Sequence, residues 1–80
     1  MTTLEIKNDL RLKIKEKSAT QLLSIYDNNQ AKLESGSDLE EGMIINDVCI
    51  EEMQNRLRKI NSTFGELNEN EILKEFKNKI

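Results

Sequence analysis

Ser35-Gly36-Ser37-Asp38-Leu39-Glu40-Glu41-Gly42 holds two of the chain's three glycines and separates two segments that each carry an apolar stripe at helical spacing. Gly36 can take the left-handed conformation that closes a helix, with no Cβ to oppose it. Ser37 or Asp38 can cap the helix that follows, and Ser37 with Glu40 has capping-box spacing. Glu40 and Glu41 add negative charge at the positive end of the new helix dipole. The stretch reads as the joint of an antiparallel helical hairpin, with helices expected over about 4–34 and 38–64.

After the joint, Met43, Ile50, Met53, Leu57, Ile60 and Phe64 follow the three- and four-residue steps of a coiled-coil-like seam. That seam is expected to pack on the first helix. Ile44, Ile45, Val48 and Cys49 lie beside it and widen the apolar arc over the first half of the second helix. A single neighbouring helix covers only the seam.

Before the joint, Ala19, Leu22, Leu23, Tyr26 and Leu33 recur at helical spacing. Residues 4–17 are ambiguous. Ile6, Leu10 and Ile14 share a helix face, while Leu10-Arg11-Leu12-Lys13-Ile14-Lys15 alternates as a strand does. Good helix formers and the lack of turn residues on either flank favour helix. Ser18 can cap a fresh helix at Ala19, so the first helix is either 4–34 with a kink or 19–34 with a looser arm before it.

Asn61-Ser62-Thr63-Phe64-Gly65 is expected to end the hairpin domain, residues 1–64, with Gly65 in the left-handed conformation. Residues 65–80 offer a short helix: Asn68 or Asn70 as cap, acids first, Lys77 and Lys79 last, and Ile72, Leu73, Phe76 and Ile80 on one face. Such a length is marginal for an isolated helix. The segment either docks back or forms a tail, and the sequence leans to the tail.

Composition narrows the function classes. Eighty residues with 36% apolar content, three aromatics and no Trp make a single small domain with little core to spare. A net charge of −3 gives no general attraction to nucleic acid or anionic lipid. No apolar run approaches the roughly 20 residues of a membrane span, and Met1-Thr2-Thr3-Leu4-Glu5 opens no secretory or transit signal. One cysteine points to a reducing cytoplasm as the default compartment. Cys49, between Val48 and Ile50 and followed by Glu51 and Glu52, is expected to be a buried packing residue.

With no histidine, no phosphate-cradling loop, no nucleophile elbow and no zinc spacing, the chain offers no catalytic set. The acidic groups Asp38, Glu40, Glu41 and Glu66, Glu69, Glu71 lack the calcium-loop pattern, so no metal or cofactor is expected. Lys7, Arg11, Lys13, Lys15 and Lys17 spread around a helix and carry no interleaved aromatic to stack on a base. Were residues 10–14 a strand, three of these cations would share a face, as in ribbon-helix-helix repressors, and a DNA-binding antitoxin or regulator is the alternative. A purely structural coiled-coil subunit using the 43–64 seam is the third.

The surplus of apolar face has two readings. Either Ile44, Ile45, Val48 and Cys49 lie under the N-terminal arm as ordinary core, or Leu22, Leu23, Tyr26, Ile44, Ile45 and Val48 form a surface that a second protein covers. Burial of those six side chains is worth a gross ~9–18 kcal/mol, at about 1.5–3 kcal/mol each, against association costs of similar order. In isolation the same stripe is expected to drive a homodimer or higher oligomer.

The Met1-Thr2-Thr3-Leu4 opening, the helix through Leu22, Leu23 and Leu33, the joint at 35–42 and a helix ending near Ile60-Asn61 resemble the small needle-protein chaperones of bacterial type III secretion systems. The likeness covers roughly residues 1–64 and rests on size, helix order and joint position. It implies a hairpin that associates with a tetratricopeptide-like co-chaperone and helps keep the needle subunit monomeric in the bacterial cytoplasm. The charged 5–17 segment and the longer tail depart from that pattern, and no role is carried over to either end.

Overall fold

The computed structural model describes residues 2–36, 38–60 and 67–79. They form four helices: α1 (Thr3–Lys15), α2 (Ala19–Ser35), α3 (Leu39–Ile60) and α4 (Glu69–Lys79). The class is all-α. α3 is the central rod, and α1, α2 and α4 each pack on it.

Each helix starts where the sequence supplies an oxygen for an orphan amide. Glu5 N donates to Thr2 Oγ1 at 3.2 Å, Gln21 N to Ser18 Oγ at 3.2 Å, Glu41 N to Asp38 Oδ1 at 3.3 Å, and Glu71 N to Asn68 Oδ1 at 2.9 Å. At Ser18 the capping box is complete, because the Gln21 side chain accepts from Ser18 N at 3.0 Å. That box separates α1 from α2, so residues 3–35 are two helices meeting at a corner.

The joint works as expected on one side and differently on the other. Gly36 closes α2 at φ 80°, its N–H donating to Leu33 O at 3.1 Å. The next helix is capped by Asp38, which itself sits at φ 37°, a left-handed region that Asp tolerates better than most residues. Ser37 lies outside the described residues.

Helix directions follow from paired residues. At one end Asn29 Nδ2 donates to Gly42 O at 2.8 Å, and Gln30 Nε2 donates to Asn46 Oδ1. At the other, Arg56 Nη2 donates to the carbonyl of Lys17, just before α2 begins, at 2.6 Å. The late part of α2 thus lies by the start of α3 and its beginning by the far end, so the pair is the antiparallel hairpin. Lys7 faces Asp47 at 3.9 Å and Arg11 faces Glu51 at 3.0 Å, four residues on along both helices, so α1 runs parallel to α3. Three helices therefore run up, down and up.

Gly42 explains how closely α2 and α3 approach. A Cβ there would stand 2.5 Å from Leu33 Cδ2 and 3.1 Å from Leu33 Cγ, so no side chain fits unless Leu33 moves. The glycine lets the buried Asn29 amide reach the Gly42 carbonyl.

The core joins all four helices. Ile14 of α1, Leu22 and Tyr26 of α2, Val48, Cys49, Met53 and Leu57 of α3, and Ile72 and Phe76 of α4 form one buried cluster. This corrects the expectation of a tail. Residues 69–79 dock because Ile72 and Phe76, one helical turn apart, are 2% and 4% exposed against the hairpin. The division at residue 64 does not separate two cores.

The seam is shorter than its periodicity suggests. Met53 and Leu57 are fully buried and Ile50 is half-buried, but Met43 and Ile60 are 62% and 61% exposed. Neither is sheltered by another helix, so both leave the seam. Phe64, like Asn61–Gly65 as a whole and Ile80, lies outside the described residues.

Candidate functional site

Of the six residues expected to form an open partner surface, Leu22, Tyr26 and Val48 are buried in the chain's own core. Leu23, Ile44 and Ile45 are half-buried. The six do not make a patch. The physical reason is that α1 and α4 supply the third layer a bare hairpin lacks, with Ile14, Ile72 and Phe76 closing over the α2/α3 stripe. Of the two readings of the apolar surplus, ordinary core describes Val48 and Cys49.

The polar members of this region are engaged. Tyr26 Oη donates to Glu69 Oε1 at 2.8 Å, tying α2 to the first turn of α4. Burial, then the Glu69 hydrogen bond and its charge, push the Tyr26 hydroxyl up to about 12. Cys49 is fully buried, and burial pushes its thiol up to about 11, which makes it inert at neutral pH.

The N-terminal cations are on a helix and not on a strand, so Arg11, Lys13 and Lys15 do not share the face a ribbon-helix-helix protein would need. Arg11 is committed to a bidentate pair with Glu51, at 3.0 and 3.1 Å, and to Asn8 at 2.9 Å. Besides its bond to Lys17, Arg56 Nη2 donates to the carbonyls of Ile14 and Lys15 at 3.3 and 3.4 Å, holding the C-terminal end of α1 against α3.

A different concavity remains open. Between the N-terminal part of α1 and the first turns of α3 lies a groove of about 610 Å³, lined by Thr3, Ile6, Asp9, Leu10 and Lys13 from α1 and by Asp38, Glu40, Glu41 and Ile44 from the start of α3. Its volume falls within the ~300–1,000 Å³ of ordinary ligand sites. Thr3, Ile6, Leu10 and Lys13 recur at three- and four-residue steps and so share one face of α1. Ile6, Leu10 and Ile44 are half-buried and give the groove an apolar floor. Among the described residues, four carboxylates and one ammonium stand around it. Leu4, Leu12, Leu39 and Met43, on the same two helices, are large side chains left more than half exposed.

Sequence reasoning placed Ile44 at a partner surface but missed the α1 wall. Ile6 and Leu10 were visible as a helical pair, and Asp9 and Lys13 carried no signal beyond charge. The parallel course of α1 along α3 is what brings them to Ile44.

Among the described residues no three His, Cys, Asp or Glu side chains are grouped to hold a metal, and no helix is long and apolar enough to cross a membrane. No protein-family model, curated protein or solved structure matches the chain.

Proposed function

We propose that the chain is a non-enzymatic binding subunit that works by helix packing against another protein. The observation that carries this reading is the α1/α3 groove, whose apolar floor of Ile6, Leu10 and Ile44 is left without a covering helix among the described residues, while α1 and α4 close over the α2/α3 stripe. A groove between helices is a recurring seat for an amphipathic helix of a partner. The absence of histidine from the sequence and the inert state of Cys49 favour binding over catalysis.

The resemblance to type III secretion needle-protein chaperones supplies the class of partner. On that reading the chain serves in the bacterial cytoplasm with a tetratricopeptide-like co-chaperone, and the complex keeps the needle subunit monomeric before export. The contact is assigned to the groove rather than to Leu22, Tyr26 and Val48, which are committed to the core.

Co-expression with the needle subunit and the helical-repeat protein of the host's secretion system tests this. A ternary complex on size exclusion, lost in Ile44→Asp while that variant keeps its helical circular dichroism, is the expected result. Failure to form any complex with either protein refutes the chaperone assignment.

A further inference from the structure

We propose that the occupant of the α1/α3 groove is a lysine- or arginine-bearing amphipathic helix, its apolar side chains on Ile6, Leu10 and Ile44 and its cations against Asp9, Glu40 and Glu41. This rests on the docking reading above and adds the chemistry of the partner. Capping accounts for acids at the start of α3, since Asp38 accepts from Glu41 N at 3.3 Å and the helix dipole favours Glu40 and Glu41. It does not account for Asp9, which comes from α1 and lines the same groove. Among the described residues that line the groove, Lys13 is the one cation against Asp9, Asp38, Glu40 and Glu41, so the α1 wall carries one charge of each sign and the α3 wall makes the rim acidic in sum. Lys7 and Arg11, the neighbouring cations of α1, are turned to Asp47 and Glu51 and do not line it. An anionic helix would bring like charges together, which disfavours it as a partner. A neutral apolar ligand would leave the rim unused.

The test uses the full chain and two fluorescein-labelled amphipathic peptides of the same apolar pattern, one with lysines and one with glutamates on the polar face, titrated by fluorescence anisotropy. The lysine peptide is expected to bind at least about tenfold more tightly at low salt, with the preference shrinking as salt screens the rim. The double variant E40K/E41K should reverse the preference. The double variant D27K/E34K, with the same change in net charge on α2, should leave it intact. Ile44→Asp should abolish binding of the lysine peptide. Equal binding of the two peptides, an equal loss of preference in both double variants, or lysine-peptide binding that survives Ile44→Asp each overturns the proposal, as does no binding of either peptide. The native complex tested by co-expression is a separate readout. If it forms and is lost in Ile44→Asp while the peptides bind equally, the docking reading stands and only the charge assignment falls.

Discussion

Truncating Phe76 to alanine measures whether the C-terminal helix belongs to the fold. The ring is 4% exposed and shares the core with Leu22, Met53 and Leu57, so its loss by the cavity route costs about 3–5 kcal/mol. A second route competes. If α4 lets go instead of tolerating a void, the loss is capped by what docking α4 contributes: burial of Ile72 and Phe76 at ~1.5–3 kcal/mol each, plus roughly 1 kcal/mol from the Tyr26–Glu69 hydrogen bond, less the chain entropy regained. The smaller of the two governs, and about 3 kcal/mol is expected. An 80-residue domain has roughly 4–12 kcal/mol in total, so the variant should lie close to unfolding. Urea titration followed by far-UV circular dichroism reads the shift, and the slope m separates the routes, since release of α4 before the main transition lowers m. A midpoint shift worth less than about 1 kcal/mol with m unchanged would refute the place given to α4 in the core.

Other outcomes follow from single contacts. Arg56→Ala removes the donor to the carbonyls of Ile14, Lys15 and Lys17 and should cost about 1–3 kcal/mol, and Arg56→Lys should not fully restore it because one ammonium cannot meet both these carbonyls, which face Nη2, and Glu52, which faces Nε at 3.4 Å; chemical denaturation of both checks this. Ser18→Ala breaks the capping box between α1 and α2 and should cost about 0.5–2 kcal/mol by the same measurement. The pKa values of Tyr26 and Cys49 are both raised on folding, so each contributes stability that is full below its unfolded value and is lost as pH climbs to the folded one. Thermal midpoints should therefore fall from about pH 9 toward pH 12, and Tyr26→Phe should flatten the upper part of that decline. Gly42→Val should destabilise although valine is the better helix former, because its branched Cβ meets Leu33, while Lys32→Ala on the exposed side of α2 should be nearly silent in the same denaturation assay.

Much of the fold was legible because it depends on local chemistry. Gly36 at the end of α2, Ser18 and Asn68 as caps, and the 3.6-residue stripes of α2 and α3 are short-range signals, and each sits where the sequence placed it. What was not legible depends on one face meeting another. Leu22, Tyr26 and Val48 looked like an open surface because a periodic stripe does not say which helix will cover it, and the docking of Ile72 and Phe76 is a tertiary choice that an eleven-residue segment does not announce. Met43 and Ile60 kept the seam's spacing but lie beyond the reach of its neighbours. Gly42 looked like part of the joint and is instead the place where two helices nearly touch.

The pinning of α1 is uneven. Its last turn is clamped by Arg56 and by buried Ile14, whereas near its start the tie to α3 is Lys7–Asp47 at 3.9 Å, with the aspartate side chain 63% exposed. A rod fixed at one end and loosely tethered at the other behaves as a cantilever. The first turns of α1 should therefore open before the last one, so amides of residues 6–10 should exchange with solvent faster than those of 12–15. The weaker mooring falls on the turns of α1 that line the open groove, Ile6 and Leu10 among them.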